Sequence, residues 1–282
     1  MEKPYFDTMI SNVVAVIPVT DQKTDYRFPW HPALQPVGKS FTAIQRVVAD
    51  ACFMGVSSIW LVCNKNMQPL IKKVVGERLR HPSTFLLERR DTKHTVPIYY
   101  VPVHIKDRHK AECPSWSVLH GCLEAYEMSG LISKWTLPDR FLIIDPYLIC
   151  DYYDAIYEKK YMKQDINFAF KSEGKTYKDG VNVPFTITYK DCIEAKEKYD
   201  ELAYEFYEEN LMVEASIKIP LDKIFNSATI DRDFEIGKTY DIRKWEGYME
   251  YMRTDFAAKL HKPSFVASYS FAELFKEEEE DA

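Results

Sequence analysis

Two aspartates of this chain stand in or at the end of strand-like stretches. Asp145 ends the run Arg140-Phe141-Leu142-Ile143-Ile144-Asp145, and Asp241 falls in the strand-like stretch from Asp233 to Ile242. Two carboxylates that converge can hold a Mg²⁺ ion, which neutralises charge on a transferred phosphoryl group and aligns it for in-line attack. A plainer role exists for each: Asp145 caps the turn at Pro146, and Asp241 caps a helix from Arg243. Asp151 and Asp154 form a second acidic pair, spaced to share one helical face, where acids also serve a helix N-terminus. Arg27 and Lys23 lie in a polar loop from Thr20 to Trp30 and offer cations to a phosphate, unless the loop is only solvated. His31 either hydrogen-bonds phosphate or packs a turn between Trp30 and Pro32. Lys39-Ser40 looks like the end of a P-loop, but Ala33 stands where the first glycine is required, so Ser40 reads better as a helix N-cap. Ser115 and Ser117 open a helix whose free N–H groups suit a base or a phosphate, with capping as the alternative.

The elements that must position these residues follow from periodicity. Val13–Val19 is a short apolar run, the pattern of a strand buried on both faces, and Ser57–Cys63, Pro97–Val103 and Arg140–Asp145 read as further strands, the last ending in an acid. Between them, Ser40–Gly55, Met67–Leu79 and Ser115–Met128 carry apolar residues at helical spacing. Alternation of this kind predicts βαβ units, with strands 13–19, 58–63, 98–103 and 140–145 largely parallel in one sheet. Ligands of such sheets bind beyond the carboxyl ends of the strands. The second half changes texture. Strands are expected over Ile166–Lys171, Asn182–Thr188 and Leu211–Ile219, and a strand pair or hairpin over Asp233–Ile242. Helices are expected over Asp191–Asn210, Pro220–Asn226 and Lys244–Met252.

Composition narrows the class. Of 282 residues, 46% are hydrophobic and 28% charged, which excludes whole-chain disorder, collagen and coiled coil. No apolar run reaches the 18 or so residues of a membrane span. The opening Met1–Asp7 lacks the basic start and apolar stretch of a signal peptide, so a cytoplasmic location without membrane partners is expected. The net charge of −6 argues against a nonspecific nucleic-acid coat, whose affinity comes from cations on phosphates. Cys52, Cys63, Cys113, Cys122, Cys150 and Cys192 form no C-x-x-C pair and no finger spacing, so they read as free thiols, several of them core residues. Tyrosines at near-helical spacing, Tyr152, Tyr153, Tyr157 and Tyr161, then Tyr199, Tyr204 and Tyr207, suit a core or a homo-oligomer interface, or stacking on sugars and bases.

The order of segments resembles the sugar-phosphate nucleotidyltransferases, or nucleotide-sugar pyrophosphorylases, whose fold is shared with GT-A glycosyltransferases. Val14-Ala15-Val16-Ile17 is followed by His31-Pro32-Ala33-Leu34-Gln35-Pro36-Val37, then by a helix and Gly55-Val56-Ser57-Ser58-Ile59-Trp60-Leu61-Val62, similar to the family's G-V-x-x-I-x-V-V. Cys113-Pro114-Ser115-Trp116-Ser117 sits where the family binds the nucleotide base, and Phe141–Asp145 where it has F-L-V-L-N-G-D. Tyr240-Asp241-Ile242-Arg243-Lys244-Trp245-Glu246-Gly247-Tyr248 resembles its closing W-x-D-I-G-T-x-E-D-Y. The resemblance spans roughly residues 13–252. It implies an α/β fold with a mainly parallel Rossmann-like sheet flanked by helices and a mixed C-terminal part. The domain would cover 1–252, with 253–282 as an extension ending in the acidic run Glu277–Asp281. It further implies transfer of a nucleotidyl group from a nucleoside triphosphate to a sugar 1-phosphate. Asp145 and Asp241 would hold Mg²⁺, Arg27, Lys23 or Lys39 the phosphates, and Ser115, Ser117 and His31 the remainder of the ligand.

Departures from the family pattern open two alternatives. The family's G-x-G-x-x-R loop is replaced by Thr20-Asp21-Gln22-Lys23-Thr24-Asp25-Tyr26-Arg27, without glycine, so an open loop reaching phosphate through Lys23 and Arg27 is expected. His31-Pro32 stands at the family's proline-lysine pair. Asp145 takes its asparagine position, Tyr147 falls at the first metal aspartate, and only Asp241 matches the second. A GT-A-like glycosyltransferase using a nucleotide sugar, or an inactive binding or assembly relative, accommodates those changes.

Overall fold

A computed structural model describes residues 11–19, 24–38, 41–80, 95–110, 112–152, 155, 162, 164–209 and 218–254. Strand β1, Val13–Val19, is buried at every position. The small antiparallel pair β2, Pro36–Gly38, and β3, Phe41–Thr42, leads into helix α1, Ala43–Phe53, whose amino end is held by Gln45 Oε1 accepting the Thr42 N–H at 3.0 Å. Then come β4, Ser58–Asn64, helix α2, Gln68–Val75, and β5, Arg78–Arg80. The expected helix to Leu79 is cut short. Gly76 takes φ 82°, which stops α2 and turns the chain into an edge strand. Next are β6, Thr95–Val103, helix α3, Pro114–Ile132, β7, Arg140–Ile143, and β8, Leu148–Cys150. The remaining elements are β9, Phe168–Ser172, β10, Phe185–Ile187, helix α4, Tyr189–Glu209, helix α5, Leu221–Phe225, β11, Arg232–Ile236, β12, Thr239–Asp241, and helix α6, Trp245–Met252.

Eight strands form one sheet in the order β11-β9-β10-β7-β1-β4-β6-β5. The four strands expected to lie together do so: β1 is parallel to both β4 and β7, and β4 is parallel to β6. From β1 the chain steps outward to β4 and β6, then returns across the sheet through α3 to β7. Helix α3 packs on β1, β4 and β6, and against α4. It approaches closely because Gly121 has no side chain where Val16 and Val62 rise from the sheet.

The strand pair expected over 233–242 is not a hairpin. Strand β11 lies parallel to β9 in the large sheet, and β12 pairs antiparallel with β8 in a separate ribbon. The bend between them is held by the backbone of Asp151, whose carbonyl accepts the Gly237 N–H at 2.9 Å. That pairing places Asp241 opposite Leu148, beside the exit of β7. Tyr152 is buried against Phe170, with ring centroids 5.2 Å apart, and Tyr199 is buried as well, which fits the core reading of these tyrosines. Tyr204 is exposed, and Tyr153, Asp154, Tyr157, Tyr161 and the segment 210–217 lie outside the described residues. All six cysteines are free and buried.

Candidate functional site

The carboxyl ends of β1, β4, β6 and β7 share one edge of the sheet, and strand order reverses at β1, which has β4 on one side and β7 on the other. A cleft of about 790 Å³ opens there. Asp25 reaches it from the segment after β1, Glu112 and Pro114 from that after β6, and Asn182 from just ahead of β10. Residues 218–221 form one wall, and Asp241, Arg243 and Lys244 another. Pro114 is the first residue of α3, so the amino end of a 19-residue helix faces this space. A second hollow, about 780 Å³, lies at the opposite edge around the starts of β1 and β4, with a mainly apolar lining that includes Trp60, Tyr99 and Trp135.

At the base of the first cleft, Arg243 stands between Asp145 and Asp241. Its Nε donates to Asp241 Oδ1 at 2.7 Å and its Nη2 to Asp241 Oδ2 at 2.9 Å, a two-pronged contact. Its Nη1 lies 3.6 Å from Asp145 Oδ2. The backbone N–H of Arg243 also donates to Asp241 Oδ1, at 3.0 Å. Asp145 is buried, and its own oxygens are taken up: Oδ1 accepts the Tyr147 N–H at 2.8 Å and Oδ2 accepts the Asn182 amide at 2.7 Å. Burial pushes the Asp145 carboxyl above its ordinary range even though Arg243 pulls it down. For Arg243, burial works against the charge, but Asp145 and Asp241 together hold the guanidinium above its usual value.

No family model matches the chain, and no curated protein does. Solved structures do match. One was assigned as a glucose-1-phosphate thymidylyltransferase from Bacillus anthracis in complex with sucrose; it is 12% identical over 88% of this chain and 96% of its own, with a TM-score of 0.54. A UDP-glucose pyrophosphorylase complexed with UDP-glucose is 16% identical over 88% of this chain and 99% of its own, with a TM-score of 0.51. The fold is that of the sugar-phosphate nucleotidyltransferases. Identities this low carry the fold alone.

On this nucleotidyltransferase fold, the residues singled out from the sequence are only partly gathered. Asp145 and Asp241 meet, through Arg243. Ser115 is buried under the cleft wall, where its Oγ donates to the Ile219 carbonyl at 2.6 Å and ties α3 to the 218–221 segment. Ser117 is buried one step further in and does not line the cleft. His31 Nδ1 accepts the Ala33 N–H at 3.2 Å and so serves the turn that follows it. Arg27 is exposed and is not among the residues lining the cleft. Tyr26 packs edge-on to Phe28 at 5.1 Å and to Trp245 at 5.6 Å, and Asp25 Oδ1 accepts the Trp245 N–H at 2.7 Å. The described part of the loop, from Thr24 to Trp30, is thus packed through its aromatic side chains. Lys23 and Lys39 lie outside the described residues.

The donor set as arranged does not fit the expected Mg²⁺. That ion demands near-octahedral oxygen ligands at about 2.1 Å. Here both oxygens of Asp241 face the Arg243 fork, and Asp145 is engaged by Tyr147, Asn182 and Arg243. Among the described residues, no group of three or more His, Cys, Asp or Glu surrounds one point. Arg243 is the cleft residue that sequence reading passed over. Its signal was a long cation at the place where the closing motif D-I-G-T has glycine.

Proposed function

We propose that this cleft binds a nucleoside triphosphate and a sugar phosphate and transfers the nucleotidyl group between them. A phosphate oxygen of the sugar phosphate attacks the α-phosphorus of the triphosphate, the bond to the β-phosphate breaks, and pyrophosphate leaves. The observation that carries this reading is Arg243, fixed by two aspartates at the carboxyl edge beside the strand-order reversal. In such a transfer the protein contributes positioning and charge stabilisation. Arg243 supplies a fixed positive group, Lys244 a second at the cleft wall, and the amino end of α3 a field that favours anions. Lys218 is partly engaged by Glu112 at 3.2 Å. Asp25 and Glu112 offer acceptors for sugar hydroxyls.

A second reading has its own support. The described part of the loop after β1 carries no glycine and is packed through its aromatic side chains, so it offers no backbone cradle for a triphosphate. A nucleotide sugar, with two phosphates, makes a smaller demand on the same cleft, and transfer of the sugar to an acceptor is then the reaction. One assay separates the two. Nucleoside triphosphates are incubated with sugar 1-phosphates and pyrophosphate is measured, while nucleotide sugars are incubated alone and with acceptors and free or transferred sugar is measured. Pyrophosphate release supports the first reading, and sugar release the second. Neither product from a full panel of bases and sugars sinks both.

A further inference from the structure

We infer that Arg243 is the resident cation of the Asp145–Asp241 pair and keeps divalent metal ions out of it, so that phosphate-bearing ligands enter this cleft without a metal ion at that position. The inference deepens the reading of the cleft as a phosphate site and rests on it only for the ligand; the exclusion of metal rests on geometry alone.

Three observations support it. The first is occupancy: the guanidinium lies 2.7 and 2.9 Å from the two oxygens of Asp241 and 3.6 Å from the nearest oxygen of Asp145. A divalent ion bridging these carboxylates would sit within a few ångströms of a fixed positive charge, and a like charge at about 4 Å is strongly unfavourable in a partly buried site. The second is anchorage. The backbone of Arg243 is held on both sides of its side chain, its N–H by Asp241 Oδ1 at 3.0 Å and its carbonyl by the Asp25 N–H at 3.0 Å. The preceding Ile242 N–H donates to the Tyr147 carbonyl at 2.9 Å. Swinging the side chain away therefore leaves a backbone that still points it at the pair. The third is partner supply. Asn182 and the Tyr147 N–H complete Asp145, so its carboxylate is neither open nor in need of a metal to be satisfied.

The test is a Mn²⁺ titration followed by electron paramagnetic resonance, on wild-type protein, Arg243→Ala and Arg243→Gln, each also combined with Asp241→Asn. Wild-type protein should bind no Mn²⁺ that Asp241→Asn removes. Removing the guanidinium should create a site for about one ion per chain, about tenfold tighter or more than anything in the wild type, and Asp241→Asn should abolish it. Circular dichroism checks that the variants fold. Should Arg243→Ala fail to do so, Arg243→Gln keeps hydrogen-bond donors and removes the charge. Wild-type Mn²⁺ binding that depends on Asp241 overturns the inference, as does a folded Arg243 variant that gains no ion. Calorimetry with inorganic pyrophosphate, in EDTA and in Mg²⁺, separates this inference from the reading of the cleft. Binding that survives EDTA supports both. Binding that needs Mg²⁺ keeps the cleft as a phosphate site and overturns the metal-free entry of ligands. No binding in either buffer removes the phosphate reading and leaves metal exclusion to be decided by the Mn²⁺ result.

Discussion

Replacing Gly121 by alanine puts two opposing effects in direct competition. Gly121 lies inside α3, where alanine is favoured over glycine by about 0.8–1.0 kcal/mol on helix propensity alone. An added Cβ would stand 2.5 Å from Val62 Cγ2 and 2.6 Å from Val16 Cγ1. Comfortable carbon–carbon contact begins near 3.5 Å, so α3 must lift from the sheet by about 1 Å. Neither valine can step aside, since both are buried in central strands and β-branched. Overpacking of this kind costs about 1–3 kcal/mol, and with two stiff contacts the upper end applies. The net expectation is a loss of about 1–2 kcal/mol. Gly130, in the same helix, is the control: its Cβ would meet only Leu137 Cδ2, at 3.4 Å. Gly130→Ala should therefore stabilise the protein by about 0.5–1 kcal/mol. Urea unfolding of the two variants, with equal slopes, should separate them by about 1.5–3 kcal/mol. Equal stability of the two would refute the claim that close approach of α3 sets the layer spacing.

Ser115→Ala removes the donor that meets the Ile219 carbonyl at 2.6 Å, and a buried acceptor left short should lower stability by about 1–3 kcal/mol in the same unfolding assay; no loss would show that this tie does not hold the cleft wall. Asp145 gives a pH dependence. Its folded value is raised from 3.8 by burial, so its contribution to stability is fully present below the unfolded value and is lost as pH rises through the folded one. Wild-type stability should thus decline relative to Asp145→Asn as the pH rises above the ordinary carboxylate range, and parallel profiles would contradict the assignment.

The centre of the sheet could be read from the sequence because β1, β7 and the interior of β4 are buried on both faces, and such strands show as apolar runs. Val13–Val19 and Ser58–Asn64 are of this kind, and helices between them force parallel pairing. Strands β5, β8 and β12, three residues each, are too short to display any period, and the pairing of β12 with β8 is decided by distant contacts. The same limit applies to the site. Asp145 drew attention as an acid ending an apolar run, a local property, and Asp241 as the match to the closing motif of the family that the sequence resembles. Arg243 reads locally as a solvated cation, and its position between them exists only once β12 lies beside β8.

Residues 241–251 clasp residues 25–37. The Trp245 N–H meets Asp25 across 220 positions of sequence, Tyr251 Oη meets the Val37 carbonyl across 214, and Tyr248 Oη meets the Pro36 carbonyl across 212. Each contact closes a loop containing most of the chain, and closure entropy must be met before any of them contributes. On a ribosome, the central strands can pair while residues 241–251 have not yet been made. The cleft wall formed by residues 241–244 is therefore expected to be completed after the central strands have paired.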